Sequence, residues 1–149
     1  MIEQIICAVF GTLAFSLIFG VPRKYFLTCG IIGGISWGVN LAGIQYAKMS
    51  PVIAIFCATI CVALLARIAS VYNACPATVF IISGLIPLAP GTNLYWTVYY
   101  LVTDQLSNAL SSGIEAIKLV VAIVLGIALV FELPNKLFTV LFSRRKDRV

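Results

Sequence analysis

The chain alternates between long apolar runs and short polar breaks, and this pattern predicts its helices. Five runs approach or exceed the ~20 residues that a membrane-spanning helix requires. They cover residues 2–19, 26–44, 52–69, 77–103 and 114–133. The breaks carry glycine, proline or polar residues, which end helices or mark water. We therefore predict an all-α membrane protein with five transmembrane helices, a single integral membrane domain over residues 1–149, and a basic tail over residues 134–149.

Composition excludes most other classes of protein. Of the 149 residues, 62% are hydrophobic and 10% are charged, whereas soluble domains carry about 25% charged residues. There is no histidine, which removes imidazole bases and histidine metal ligands. The five cysteines lack the spacing of a zinc site. We expect no enzyme, no metal and no cofactor, and we read the net charge of +5 as a topology signal rather than a nucleic-acid footprint.

The basic residues predict the orientation of the chain, because alternate connections face opposite sides of a membrane. One side carries Arg23, Lys24, Arg67, Lys136, Arg144, Arg145, Lys146 and Arg148. The opposite side carries Lys48, and Lys118 falls within the fifth span. Since cytoplasmic loops are the basic ones, we place the C-terminus in the cytoplasm and the N-terminus outside. We expect Arg67 to snorkel to the interface, and the first run to be retained rather than cleaved as a signal peptide.

The fourth run is interrupted midway by two prolines, at Pro87–Gly91. Proline lacks an amide donor and also disfavours the helical conformation of the residue before it. The run is therefore predicted to form two half-helices, the second capped by Thr92 or Asn93. Broken backbone at membrane depth is stable only where protein or a water-filled cavity covers it.

The start of the second half-helix is predicted to bind a carboxylate. Free amides and the positive end of the helix dipole attract anions there, and secondary transporters build substrate sites in this way near the midplane. The predicted substrate-binding residues are Pro87, Pro90, Gly91, Thr92, Asn93, Tyr95 and Tyr99. The alternatives are a purely structural kink over residues 87–93 and an aromatic belt at the interface for Tyr99 and Tyr100.

Two charged residues fall within the fifth span. Glu115 and Lys118 are three residues apart, and so share a helix face; ionisable residues in a span usually face protein or water. Glu115 is a candidate proton carrier, and Lys118 a candidate contact for a carboxylate. The alternative is that the pair lies near the outer boundary, where it neutralises itself and snorkels.

The second span carries Gly30, Gly34 and Gly38 at four-residue steps. Such glycines form a groove that lets a neighbouring backbone approach closely. We therefore predict a helix-packing role for them rather than a substrate path. Trp37 and Asn40 in the same span are weaker ligand candidates, because a buried amide serves as often to join helices.

Several motifs surround the broken run. The core Ile86-Pro87-Leu88-Ala89-Pro90-Gly91 follows residues 75–80 and precedes Tyr95-Trp96-Thr97-Val98-Tyr99-Tyr100. The glycine-rich residues 33–38 and the segment Gly113-Ile114-Glu115, followed by Gly126, accompany it. Together these residues resemble the C-terminal membrane half of the threonine/serine exporter family, which in many bacteria looks like a separate small subunit. The resemblance covers nearly the whole chain.

The resemblance implies a secondary transporter subunit in the bacterial cell (inner) membrane. Its expected substrates are threonine and serine, or a dicarboxylate such as succinate, exported with the proton gradient. It also implies a larger membrane subunit of the same family as partner, although the glycine grooves suit a homo-oligomer equally well. The alternative function is a non-transporting scaffold or assembly subunit of another membrane complex. A small multidrug exporter fits less well, because the first span has no carboxylate beyond Glu3 at its edge.

Overall fold

The computed structural model describes residues 2–133, which fold into six α-helices. These are α1 (Ile2–Ile18), α2 (Phe26–Gln45), α3 (Pro51–Asn73), α4 (Ala77–Leu85), α5 (Gly91–Val102) and α6 (Leu106–Phe131). Single 3₁₀ turns at Arg23–Tyr25 and Ile86–Leu88 precede α2 and follow α4. The described residues contain no β-strand, so the predicted all-α class is confirmed for them. The predicted basic tail lies outside the described residues.

Length and hydropathy identify the helices that could cross a membrane. Three qualify alone: α2 with its preceding turn, α3 and α6. The pair α4 and α5 qualifies together as one bent span. Helix α1 is apolar but has only 17 residues, at the lower limit of the roughly 17–25 that a crossing helix needs. The described part of the chain is thus helical, with three to four candidate spans.

The boundaries of α3 follow from local sequence. The Ser50 side chain accepts a hydrogen bond from the Ile53 amide at 3.5 Å, and Pro51 occupies the first helical position, where its missing amide costs nothing. The helix ends at Asn73, and the residue after it, Ala74, has a left-handed φ of 50°. The break predicted between residues 44 and 52 therefore ends at Ser50, which caps α3.

Helix α6 is longer than the fifth predicted span. It begins at Leu106 rather than near Ile114, so Ser107 and Asn108, which precede the predicted span, lie in its first turn. The chain reverses instead at Asp104, whose φ is 56°.

Side-chain hydrogen bonds within the first turns of α6 explain this difference. The Asn108 amide donates to Gln105 Oε1 at 2.9 Å, and the Ser111 hydroxyl donates to the Asn108 carbonyl at 2.9 Å. Local bonds of this kind satisfy polar side chains without ending the helix. Glu115 and Lys118 consequently lie well inside a continuous helix.

The described helices form an open row rather than a closed bundle. Helix α1 packs on α2, α2 on α3, α3 on α6, and α6 on α5. Helix α4 lies against α2 and α3, and it and its following turn also touch α1. Among the described helices, α4 contacts neither α5 nor α6, and α5 contacts α6 alone. The broken run therefore has protein neighbours on part of its circumference.

Glycines bring α1 and α2 close together. Gly30, Gly34 and Gly38 all face α1, and the side chains opposite them are Leu13, Val9 and Ile5. The tightest position is Gly33, where a Cβ atom would lie 2.8 Å from Thr12 Cβ and 2.9 Å from Thr12 Cγ2. This contact leaves no room for any side chain at Gly33.

Arg67 joins α3 to the C-terminal end of α6. Its Nη1 donates to the carbonyls of Val130 at 2.5 Å and Leu133 at 2.8 Å, and the side chain is only 7% exposed. The predicted snorkelling of Arg67 was therefore wrong. The carbonyls at the end of α6, where the dipole of the helix is negative, attract the guanidinium inward.

We expect Gly33→Ala to destabilise the protein by about 1–3 kcal/mol, because the added methyl group overlaps Thr12. Thr12 is fully buried, and its hydroxyl is bonded to the Ala8 carbonyl at 2.7 Å, so it has no free rotamer to adopt. Thermal unfolding of the purified protein in detergent measures the effect. Gly38→Ala is the matched control, because the nearest atom to its new methyl group is 3.7 Å away. Equal melting temperatures for the two variants would contradict the close packing.

Candidate functional site

The predicted break in the fourth apolar run is confirmed. Helix α4 ends at Leu85, a single 3₁₀ turn covers Ile86–Leu88, and α5 begins at Gly91. The two helical parts meet at an angle of 54°. Ala89 has φ −59° and ψ 134°, the extended conformation imposed on a residue that precedes proline. The break therefore follows directly from the proline positions.

Two backbone amides at the start of α5 have no acceptor within residues 2–133. The Gly91 amide donates to the Ala89 carbonyl at 2.8 Å, and the Leu94 amide donates to the Pro90 carbonyl at 3.1 Å. The amides of Thr92 and Asn93, which lie between Gly91 and Leu94 in the chain, donate no hydrogen bond to a described residue. A Cβ atom on Gly91 would have nothing within 4 Å. Space is thus open at the positive end of α5, where an anion is favoured.

The side chain of Asn93 bonds to α6 instead of capping α5. Its Nδ2 donates to Glu115 Oε2 at 3.3 Å, and no side chain caps α5. The predicted capping by Thr92 or Asn93 was therefore wrong. The physical reason is that α5 begins at Gly91, so Pro90, which has no side-chain acceptor, occupies the capping position, and Thr92 and Asn93 lie inside the first turn.

Glu115 and Lys118 are both exposed and point to different neighbours. Within the described residues Glu115 bonds to Asn93 and forms no ion pair with Lys118. Lys118 lines a groove between α3 and α6, beside Val52 and Phe56. The first turn of α5 is thus linked to Glu115 rather than to Lys118.

The aromatic residues of α5 form a stacked array on its surface. The Tyr95 and Tyr99 rings stack at 6.3 Å, and the Trp96 and Tyr100 rings stack at 5.6 Å. Tyr95 is 63% exposed and Tyr99 is 44% exposed. The structure places both predicted tyrosines on the open side of α5, one and two turns beyond the break.

A cavity of about 520 Å³ lies between the break and α1. Its walls are Glu3, Gln4, Cys7, Ala8, Gly11, Thr12, Trp37, Ile86 and Pro87. The volume falls within the range of about 300–1,000 Å³ for small-molecule sites. Of the predicted substrate-binding residues, Pro87 lines this cavity, while the residues from Pro90 to Tyr99 lie outside its walls. The broken segment therefore borders two regions, the cavity on the α1 side and the amides at the start of α5.

The contribution of α1 to this cavity was absent from the sequence-based prediction. Gln4, Cys7 and Gly11 recur at intervals of three and four residues, which places them on one helix face. That spacing was a usable signal of a polar or small face within an apolar helix. It does not say which neighbour the face meets, and here the neighbour is the broken segment.

The described helices and the break have features that are typical of one class of membrane protein. Long apolar helices and a span broken at a proline pair, with half-helix amides that lack acceptors among the described residues, are common in secondary transporters. The sequence model of the threonine/serine exporter family ThrE matches residues 4–132. The chain therefore belongs to the threonine/serine exporter family and is a multi-pass membrane protein, which confirms the resemblance seen in its motifs. No solved structure matches the chain.

Proposed function

We propose that this chain is a subunit of a secondary transporter that exports small carboxylate-bearing metabolites. The observation that carries the proposal is the pair of amides, on Thr92 and Asn93, that have no acceptor among the described residues and follow the open position of Gly91. Lipid offers such amides no acceptor, whereas a carboxylate accepts from both and is attracted by the helix dipole. Family membership favours threonine and serine; a dicarboxylate such as succinate presents the same group.

Each predicted substrate-binding residue has a proposed part in this site. Pro87 and Pro90 keep the segment out of helical conformation, and Gly91 leaves the approach to the amides open. Thr92 and Asn93 supply the amides. Tyr95 and Tyr99, on the open side of α5, form the aromatic wall along which a substrate leaves or enters. This arrangement needs no cofactor and no catalytic step.

We infer five crossings, with the N-terminus outside and the C-terminus in the cytoplasm. The Tyr25 hydroxyl donates to the Asn73 carbonyl at 3.4 Å, so the connection that holds Arg23 and Lys24 lies at the C-terminal end of α3. Arg67 holds the end of α6 at that same side. The convergence of these cations at one end supports the predicted charge asymmetry, and with it a bacterial inner-membrane location.

The open row of helices supports a partner. Within residues 2–133 the break is bordered by α1, α2 and α3, while α5 contacts α6 alone. A transport path requires walls around its whole circumference, because lipid cannot line broken backbone. We propose that a larger membrane subunit of the same exporter family completes the enclosure; a second copy of this chain is the homo-oligomeric alternative.

We propose that the proton gradient drives export and that Glu115 carries the proton. Its carboxylate accepts a hydrogen bond from Asn93, the residue whose backbone amide belongs to the substrate site. Protonation removes the charge that strengthens this bond, so the proton and the start of α5 are linked. Lys118, on the next turn of α6, is the proposed second contact for a substrate carboxylate during passage.

We expect Gly91→Ala to reduce serine and threonine export at least about tenfold while leaving the amount of folded protein unchanged. Gly91 does not have a positive φ and has open space around it, so the fold tolerates a methyl group there. The substrate does not, because the methyl group occupies the approach to the amides, and misplacement by about 1 Å is costly in such sites. Export from amino-acid-loaded cells is measured alongside membrane abundance.

Gly38→Ala serves as the matched control, because it adds the same methyl group at an ordinary contact distance from α1. Export at the control rate by a normally abundant Gly91→Ala variant would contradict a substrate site at these amides. That result would favour the scaffold function instead.

We expect Glu115→Gln to abolish the response of export to a pH gradient without loss of folded protein. Glutamine keeps an oxygen that can accept from Asn93 but cannot carry a proton. Serine efflux from energised membrane vesicles, with and without an imposed pH gradient, measures the coupling. The control is Glu132→Gln, which changes an exposed carboxylate just after α6. A Glu115→Gln variant that still responds to the gradient would exclude Glu115 as the proton carrier.

A further inference from the structure

Asn40 is a buried polar residue with an unfilled hydrogen-bonding requirement. It lies in α2 and is 4% exposed, and its Oδ1 has no hydrogen-bond partner among the described residues. A buried acceptor without a donor is rare in a folded protein and costs stability. A donor from outside the described residues would complete its hydrogen bonding.

The contacts between α2 and α4 place Asn40 beside the break. The two helices run in the same direction, because the Tyr25 ring packs on Phe80 at 5.6 Å and the Ser36 hydroxyl donates to the Gly84 carbonyl at 3.2 Å. Asn40 follows Ser36 by one helical turn on the same face. Soon after Gly84, helix α4 ends, and Ile86–Leu88 forms a 3₁₀ turn.

A second contact gives the same placement. Trp37 lines the cavity together with Ile86 and Pro87, and Asn40 lies three residues after Trp37 on α2. From this spacing, and because α2 contacts the Ile86–Leu88 turn, we place Asn40 next to the turn that begins the broken segment.

The other buried polar side chains near this region are satisfied, which sets Asn40 apart. Each donates its hydroxyl to a carbonyl of its own helix: Thr12, Ser16, Ser36, Thr59 and Ser83. Asn40 makes no such bond and none to another helix, so the structure does not give it the role of joining helices.

We infer that Asn40 Oδ1 accepts a hydrogen bond from the ammonium group of the transported substrate. The inference rests on the proposed function and deepens it: the amides of Thr92 and Asn93 hold the carboxylate, and Asn40 selects an α-amino acid over a dicarboxylate, which has no ammonium donor. Asn40 is covered in this conformation, so binding requires displacement of the Ile86–Leu88 turn, as the alternating access of a carrier entails.

The test measures how tightly wild-type and variant transporters bind serine and two analogues. Inhibition of labelled serine efflux is followed in vesicles from cells that carry the full chain and its exporter partner. The competitors are serine, 3-hydroxypropanoate, which is serine without the ammonium group, and succinate. The variants are Asn40→Leu, which removes the acceptor, and Asn40→Asp, which strengthens it. Thr59→Val is the control, because it removes a buried hydroxyl that bonds within its own helix.

For Asn40→Leu we expect the inhibition constant of serine to rise by about tenfold or more, and that of 3-hydroxypropanoate to change by less than about twofold. For Asn40→Asp we expect serine binding to be retained and both anions to bind more weakly, because the new charge repels them. Thr59→Val leaves all three constants unchanged. If Asn40→Leu fails to accumulate, Asn40→Asp provides the test: weaker binding of both anions with serine binding retained supports the inference, and unchanged binding of all three contradicts it.

Three results would overturn the inference. One is an Asn40→Leu variant that weakens serine and 3-hydroxypropanoate equally, and another is a variant that weakens neither. The third is a dependence of serine binding on Na⁺ that Asn40→Leu abolishes, because Asn40 would then be a cation ligand. The proposed function fails separately, if wild-type vesicles transport none of these carboxylates.

Discussion

A lipid interior offers no partner to a backbone amide or carbonyl, and this constraint governs the segment between Leu85 and Asn93. Two prolines prevent the segment from satisfying itself as a helix. Ser36 supplies a donor to the Gly84 carbonyl, and the Gly91 amide finds the Ala89 carbonyl. The amides of Thr92 and Asn93 remain without acceptors in the described residues. These two amides make the start of α5 a favourable place for an anion.

Helix α2 supports this segment from one side. Its glycines draw α1 close, and on the α4 side Gly84 leaves no gap, because a Cβ atom there would lie 2.8 Å from Ile32 Cγ2. This packing fixes the register of α2 against α4 and sets Ser36 and Asn40 beside the break. Close packing by small residues supplies the attraction that hydrophobicity cannot provide in a membrane. The same packing therefore stabilises the fold and positions the proposed site.

The sequence predicted those features that depend on neighbours along the chain. The break follows from Pro87 and Pro90 alone, and the helix starting at Pro51 follows from the residue before it. Features that depend on distant residues were missed. Arg67 finds its acceptors 63 and 66 residues away, and Asn93 finds Glu115 across the α5–α6 contact. No local pattern reveals these partners, so snorkelling and capping were the wrong expectations for them.

The candidate site was likewise predicted only in part from the sequence. The amides at the start of α5 followed from the prolines, while the cavity beside α1 did not, because the neighbour of the α1 polar face is a tertiary contact. The early start of α6 was also missed, since Ser and Asn side chains that usually mark turns can instead bond within a helix. Local chemistry thus fixed the break, and long-range packing fixed what surrounds it.

Backbone amide NMR of the detergent-solubilised, isotope-labelled protein tests the central claim most directly. The amide signals of Thr92 and Asn93 are followed as serine, 3-hydroxypropanoate or ethanolamine is added; ethanolamine is serine without its carboxylate. Both carboxylates should shift the two signals in a saturable manner, and ethanolamine should not. Unmoved signals in a protein that transports serine, or equal shifts with ethanolamine, would show that these amides do not hold the carboxylate.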